Sequence, residues 1–186
     1  MTEKQPYAVV QTYEEFEVRC YPSHVVAEVV VSASFEDAGP TAFRTLLDYI
    51  SGQNLSASKV AMTAPVVQRR PEKISMTEPV EQRETGRGQY AVAFVLPATY
   101  TLDSAPVPTS PQVQLHERPA TVSAVRGYRG RWTEASFDHH SRVLGRAIGV
   151  AGLTPAGPPR WARFDPPFVP WFLRRNEVVQ DLRERA

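Results

Sequence analysis

The chain has 186 residues, of which 42% are hydrophobic and 22% are charged, an ordinary globular composition that can bury a sizeable core. The net charge of +1 gives no reason to expect a nucleic-acid partner. The single cysteine excludes an intrachain disulfide, and no run approaches the roughly 18 apolar residues of a membrane span. Without a secretory signal pattern or a glycine- and serine-rich linker, we expect a cytoplasmic protein with one domain over residues 1–186.

Two strands are predicted near the N-terminus. In the stretch FEVRCY at residues 16–21, apolar residues alternate with Glu17 and Arg19, which is typical of a half-buried strand. The stretch HVVAEVVV at residues 24–31 is rich in β-branched residues and apolar on both faces, as in a central strand. Because only two residues separate these stretches, we predict that they form a hairpin.

An amphipathic helix is predicted next. Its apolar residues recur at three- and four-residue spacing and so share one stripe: Phe35, Ala38, Ala42, Phe43, Leu46, Leu47 and Ile50. Ser34 or Asp37 can cap its start. Pro40 is comfortable only in the first turn, so the regular helix is expected to begin near Asp37. Gly52 should end it.

Residues 59–84 contain the pattern KxxMTxPVxQR twice. One interpretation is an antiparallel hairpin that turns near Pro71, in which Met62 faces Val80 and shares an apolar face with Met76. The other interpretation is functional, because flexible methionine side chains are suited to lining a hydrophobic ligand pocket.

A longer repeat appears when the sequence is compared with itself at an offset of 97 residues. The matched pairs include Pro22 with Pro119, Val25 with Val122, Phe35 with Trp132, Leu47 with Leu144 and Gly52 with Gly149. They predict a second strand, strand and helix at 113–117, 122–128 and 133–148, with strands after each helix. We therefore expect a duplicated α+β domain with pseudo-repeats at about 13–97 and 110–182.

Five motifs, in this order, resemble the SOUL haem-binding protein family. They are FxVRxYP from residue 16, AFRTLLDYISGQN from 42, MTAPV from 62, YAVAFVLP from 90 and RRNEV from 174. The resemblance extends from about Tyr13 to Leu182. It implies a distorted antiparallel β-barrel flanked by two helices, built from a duplicated strand-strand-helix-strand-strand unit. It also implies that haem or another tetrapyrrole binds in a shallow hydrophobic cleft beside the first helix, for carriage or buffering.

The same resemblance suggests the residues of the cleft. They are Phe43, Arg44 and Leu47 on the helix, Met62 and Met76 in the repeated pattern, and Phe168 in the later loop DPPFVPWF. Haem needs apolar contact for its ring and cations for its propionates, and Arg44 is the candidate cation. The alternative interpretation of Phe43 and Leu47 is that they belong to the core.

A side-chain ligand for haem iron is in doubt. The position between Arg and Tyr in FxVRxY is histidine in some family members and is regarded there as an axial ligand, but this chain has Cys20. A thiolate can ligate haem, although an inward cysteine on an apolar strand usually acts as a small hydrophobic residue. The four histidines, His24, His116, His139 and His140, are not expected to form a metal site.

Two other classes of function stay open. The SOUL fold is similar to that of effector-binding domains related to gyrase inhibitors, so Glu78 or Glu177 could meet a cationic or other hydrophobic small molecule. A protein-interaction module without a small ligand is the third possibility. No catalytic motif predicts an enzyme. An open apolar cleft with one cation would favour a tetrapyrrole, whereas a buried unpaired acid would favour a cationic effector.

Overall fold

The computed structural model describes residues 3–56, 71–166 and 168–183. The long elements of the first half are β3 (Glu17–Tyr21), β4 (His24–Ser32), α1 (Phe35–Ile50), β7 (Val80–Gly86) and β8 (Gln89–Val95). Those of the second half are β10 (Gln114–Arg118), β11 (Thr121–Arg129), α2 (Glu134–Val150), β12 (Arg160–Arg163) and β13 (Arg175–Asp181). Short elements complete the set: β1 (Glu3–Lys4), β2 (Ala8–Thr12), β5 (Asn54–Leu55), β6 (Thr77–Glu78), β9 (Val107–Pro108) and a 3-10 helix (Trp171–Leu173).

Nine strands form one curled antiparallel sheet, a half-barrel, in the order β10-β4-β8-β7-β12-β13-β11-β3-β2. Helix α1 packs on β4 and β8, and α2 packs on β11 and β13. We call the side of the sheet that carries them the helix face and the other side the opposite face. The predicted α+β class, with strands flanked by two helices, is therefore confirmed, although the edge strands β10 and β2 leave the barrel open.

The two halves exchange their first strands. The bounds of β3 and β4 recur 97 residues later as those of β10 and β11. Strand β3 pairs with β11, and β10 pairs with β4, so each of these pairs joins the two halves. The predicted order of strand, strand and helix is present in both halves, whereas common origin by duplication stays a prediction. The predicted hairpin of β3 with β4 is wrong. Alternation assigns residues to faces but does not choose partners, and here each strand pairs with the other half.

Helix α1 begins earlier than Pro40 led us to expect. The side chain of Ser34 accepts a hydrogen bond from the backbone N–H of Asp37 at 3.2 Å, and the helix starts at Phe35. Pro40 is the sixth residue of the helix, past the first turn, so the helix lacks the hydrogen bond that the N–H of residue 40 would donate to the carbonyl of Glu36. The helix ends at Ile50, and Gly52 follows with a φ of 123°, a conformation that favours glycine.

The predicted hairpin of residues 59–84 is not formed as proposed. Its first arm and Met62 lie outside the described residues. In the second arm, Val80 pairs with Phe94 of β8 on one side and with Arg163 of β12 on the other. The proposed pairing of Val80 with Met62 is therefore wrong, because β8 follows β7 through a tight turn at Gly88 and β12 takes the remaining edge.

The main core lies between the sheet and α1 on the helix face. It is built around Trp161, whose ring stacks on that of Phe35 at 4.8 Å between ring centres, with Leu46, Phe94 and Leu96 fully buried. A smaller cluster beneath α2 contains Phe16, Val18, Ala124, Leu144, Ile148 and Val178. These clusters fix the two helices on one side of the sheet.

The opposite face carries buried charges that the alternation at residues 16–21 does not predict. Arg19 was expected towards solvent but is buried, because strand pairing places it beside Glu177. Glu81 pairs with both Arg118 and Arg160. Burial alone would raise the pKa of Glu81, but the two guanidinium groups outweigh it and lower the pKa to about 2.

Candidate ligand-binding cleft

A cleft with a volume of about 420 Å³ opens on the helix face between α1 and the segment that follows β12. Such a volume lies in the usual range of small-molecule sites. Its walls are mainly apolar and include Pro40, Phe43, Met76, Val80, Trp132 and Phe164. Helix α1, the start of β7 and the end of β12 thus contribute one wall each.

One cation, Arg163, lies in this apolar lining. It follows Trp161 by two residues on β12, so both side chains point to the helix face. Its guanidinium carbon lies 4.8 Å from the ring centre of Trp161 and 5.4 Å from that of Trp132. The residue is 8% exposed, and within the described residues its side chain makes a single hydrogen bond, a long one of 3.4 Å from Nη2 to Oε1 of Gln82. Arg163 is therefore packed as if it were part of the core.

The backbone of α1 leaves space for this guanidinium group at Gly39. A Cβ atom placed on Gly39 would lie 2.5 Å from Cζ of Arg163 and closer still to both of its terminal nitrogens. Real Cβ atoms are not found so close to other heavy atoms, so any other residue would displace Arg163 or the helix. The glycine thus has a packing role that its place in a helix alone does not reveal.

Arg163 has no carboxylate partner among the described residues. Two acids do line the cleft, but Glu78 and Asp165 both pair with Arg175, at 3.8 and 3.2 Å. Burial lowers the pKa of Arg163 to about 10, so it remains a cation at neutral pH. A buried charge without a counterion costs several kcal/mol, a cost that an anionic ligand would offset.

Two N–H donors of the cleft lining also lack an acceptor within the described part of the chain. They are Nε of Arg163 and the indole nitrogen of Trp132. Buried donors in native proteins are nearly always satisfied by protein, water or a ligand. This donor set fits an anionic group, in particular a carboxylate.

The structure brings two of the predicted residues into the cleft, Phe43 and Met76. Phe43 is 36% exposed and Leu47, one turn further along α1, is 39% exposed, so the interpretation of this pair as core is wrong. Leu47 extends the exposed apolar strip beyond the cleft lining. Arg44 is exposed on the same helix and does not line the cleft. Phe168 is 86% exposed and also lies outside the lining.

Sequence reasoning missed Arg163, Trp132 and Gly39. The available signal was RWAR at residues 160–163, where an arginine shares a strand face with a tryptophan that had to be core. Nothing local distinguishes that arginine from one that reaches solvent. Its burial depends on α1 and Trp132, which are distant in sequence.

The cysteine and histidines lie away from the cleft lining. Cys20 is a partly buried free thiol on β3, and His24 is held by the carbonyl oxygen of Pro22 and by Gln5. Burial lowers the pKa of His24. The described residues contain no group of three or more histidine, cysteine or acidic side chains that could hold a metal ion.

A second cavity of about 360 Å³ lies on the opposite face and contains Glu177. Both oxygens of this carboxylate accept hydrogen bonds from Nη1 of Arg19, each at 3.0 Å. Burial raises the pKa of Glu177, and Arg19 counteracts that effect. Glu177 is thus a paired acid, not the unpaired one that would favour a cationic effector.

These features define a class: an α+β half-barrel with an apolar cleft on its helix face and one buried cation in that cleft. The family model described as SOUL heme-binding protein matches residues 2–181, and the chain belongs to this family. A curated relative, Heme-binding protein 1 of Xenopus tropicalis, is 28% identical over 164 residues. The match covers 88% of this chain and 81% of that protein.

Solved structures share the fold at low sequence identity. The C-terminal domain of EcmrR has a TM-score of 0.60 and 8% identity, over 96% of this chain and 99% of that chain. A hydrolase from Listeria innocua has a TM-score of 0.56 and 11% identity, over 94% of each chain. At these identities the likeness shows the fold alone. Among the described residues, neither helix is long and apolar enough to cross a membrane.

Proposed function

We propose that this protein binds haem or another tetrapyrrole in the cleft beside α1, with a propionate of the ligand paired to Arg163. The observation that carries the proposal is the buried charge of Arg163 in an apolar cleft, where it packs against two tryptophan rings and has no carboxylate partner among the described residues. Family membership and the relative named Heme-binding protein 1 support the choice of tetrapyrrole among hydrophobic carboxylates. An open cleft suits reversible carriage or buffering.

Some residues of the cleft would contact the ring of the ligand, and others would bind its carboxylates. Phe43, Met76 and Trp132 offer apolar and aromatic contact for a flat ring, and the exposed side chain of Leu47 continues this surface along α1. Arg163 and the nearby indole N–H group of Trp132 would receive one propionate. A charge-assisted hydrogen bond of this kind contributes about 1.5–3 kcal/mol. The exposed Arg44 would serve a second, solvated carboxylate.

Binding by these contacts requires no side chain on the iron. Cys20 is absent from the cleft lining, and no histidine belongs to it among the described residues. We therefore propose binding by apolar contact and carboxylate pairing, without an obligatory protein ligand to iron. The proposal is for binding and not for catalysis. Glu78 and Glu177 are both paired with arginines, so neither is the unpaired acid that would favour binding of a cationic effector.

An absorbance titration with haemin and with iron-free protoporphyrin tests the proposal. Both should bind, with dissociation constants within about tenfold of each other. A tenfold difference corresponds to about 1.4 kcal/mol of binding free energy, which is as much as the loss of a weak contact to iron should cost. Phe43→Glu should weaken both ligands by at least about tenfold. Leu102→Glu is the matched control, since Leu102 is similarly exposed, at 44%, but lies outside the cleft lining. Failure of both porphyrins to bind at micromolar concentration would contradict the proposal.

A further inference from the structure

The segment between β12 and β13 exposes four large apolar side chains within six residues. Phe168 and Phe172 are 86% and 56% exposed, and Trp171 and Leu173 are each 47% exposed. We call these four residues the aromatic loop. Contiguous exposed apolar groups of this kind mark interaction surfaces.

Hydrogen bonds to backbone carbonyls hold the aromatic loop in shape. The N–H of Leu173 donates to the carbonyl of Pro170 at 2.9 Å, and Nε of Arg174 donates to the carbonyl of Val169 at 2.8 Å. The rings of Trp171 and Phe172 meet edge to face, 5.7 Å apart. The loop therefore presents its apolar side chains from a defined backbone.

Arginines surround the loop. Arg131 stacks on the ring of Trp171 at 4.6 Å, and Nη1 of Arg129 donates to the carbonyl of Leu173 at 3.1 Å. Among the described residues Arg131 forms no ion pair, and Arg129 helps to lower the pKa of the Asp165 carboxyl, which is itself ion-paired with Arg175. Because the whole chain carries a net charge of only +1, this is a local concentration of positive charge beside exposed aromatic rings.

We propose that the aromatic loop docks on an anionic lipid surface, with its rings in the interfacial layer and Arg129 and Arg131 against the headgroups. Tryptophan and phenylalanine favour the interface of a bilayer, and each nearby arginine adds attraction to anionic lipid. The loop offers roughly 400 Å² of apolar surface, about half of what one partner contributes to a standard protein interface. A lipid surface needs no such area or shape complementarity.

Docking would also bring the ligand cleft to the lipid. Trp132 and Pro166 line the cleft, while Arg131 and Phe168, close to them in sequence, belong to the docking surface. The rim of the cleft would then lie beside the layer into which hydrophobic ligands partition. The docking itself does not depend on what the cleft binds, so unliganded protein is used to test it.

The test is cosedimentation of the unliganded protein with vesicles of phosphatidylcholine, with and without phosphatidylserine. We expect binding to the anionic vesicles that weakens with added salt. Replacing both Trp171 and Phe172 by serine should reduce binding at least tenfold. Val150→Ser is the control, since Val150 is also strongly exposed but lies at the end of α2.

Charge and fluorescence give two further arms. Arg129→Glu with Arg131→Glu should remove the preference for anionic vesicles, whereas Arg142→Glu, an exposed charge on α2, should retain it. Vesicles should shift the tryptophan emission to the blue, and Trp171→Phe should remove that shift while the protein still binds. Absence of vesicle binding at low salt would overturn the proposal. So would light scattering that shows a dimer which only the Trp171 and Phe172 substitutions dissociate.

Discussion

Replacing Gly39 by alanine tests the packing of Arg163 directly. In the interior of a helix, glycine to alanine normally stabilises a protein by about 1 kcal/mol. Here the new Cβ would lie 2.5 Å from Cζ of Arg163, and the guanidinium group is confined between Trp132 and Trp161. Overpacking of this kind costs about 1–3 kcal/mol. We therefore expect Gly39→Ala to bring no stabilisation and to destabilise by up to about 2 kcal/mol.

A double-mutant cycle separates the clash from other effects of the alanine. Residue 39 precedes Pro40, which disfavours helical backbone for any residue with a Cβ. That cost is the same with or without Arg163, so it cancels when Gly39→Ala is made in wild-type and Arg163→Ala backgrounds. The remaining coupling should be about 1–3 kcal/mol, measured as the difference in free energy of unfolding in urea.

Gly145→Ala is the matched control for this cycle. Gly145 is an interior residue of α2, and a Cβ placed there would have nothing within 4 Å. It should stabilise the protein by up to about 1 kcal/mol. If Gly39→Ala stabilises equally, or if the coupling with Arg163 is near zero, the guanidinium group does not lie against α1 and the reasoning is refuted.

Three other outcomes can be measured. Glu81→Gln should destabilise the protein by about 1.5–3 kcal/mol at pH 7 in urea, because Arg118 and Arg160 lose the buried carboxylate that they share and keep only Glu28 and Asp181, whereas the exposed Glu84→Gln should change little. Since the pKa of Glu81 is lowered from 4.5 to about 2, its stabilisation is complete above about pH 4.5 and is lost towards pH 2, so the two proteins should converge there. Arg163→Met should stabilise the unliganded protein by about 1–3 kcal/mol in the same assay, because it replaces a buried charge that lacks a carboxylate partner by an apolar side chain. Destabilisation by this substitution would contradict the view that the buried charge is costly without a ligand. Cys20→Ser should leave haem affinity within about twofold, and a thiolate-type spectrum that it abolishes would contradict binding without an iron ligand.

The order of elements in both halves was predictable from the sequence. The periodicity of neighbouring residues indicated the strands and the helix of the first half, and the offset of 97 residues transferred them to the second half. Pairing was harder to predict. Residues 16–21 and 24–31 are separated by a turn and so favoured a hairpin, yet β3 and β4 belong to opposite ends of the sheet. A strand that pairs with the other half forms the same kind of backbone hydrogen bonds, and buries the same side chains, as it would in a hairpin. The periodicity within either stretch therefore cannot distinguish the two arrangements.

The sequence singled out two apolar residues of the candidate cleft, Phe43 and Met76, and did not single out Arg163. Phe43 belongs to the apolar stripe of α1, and the resemblance to SOUL proteins gave it a role in binding. The sequence singled out Arg44, which is next to Phe43 in the chain, whereas Arg163 joins Phe43 in the cleft lining only through the fold. An arginine on a strand usually extends to solvent, and the burial of this one depends on Gly39 and Trp132. Such contacts join distant parts of the chain and leave no local pattern.

The most direct test of the account compares haem with haem dimethyl ester, whose propionates carry no charge, by absorbance titration of wild type, Arg163→Met and Arg44→Met. If Arg163 receives a propionate, wild-type protein should bind haem about tenfold to hundredfold more tightly than the ester, as expected for a charge-assisted hydrogen bond of about 1.5–3 kcal/mol. Arg163→Met should lose most of this preference, and Arg44→Met should retain most of it. Equal discrimination against the ester by wild type and Arg163→Met would contradict the central claim that the buried arginine receives the ligand's carboxylate.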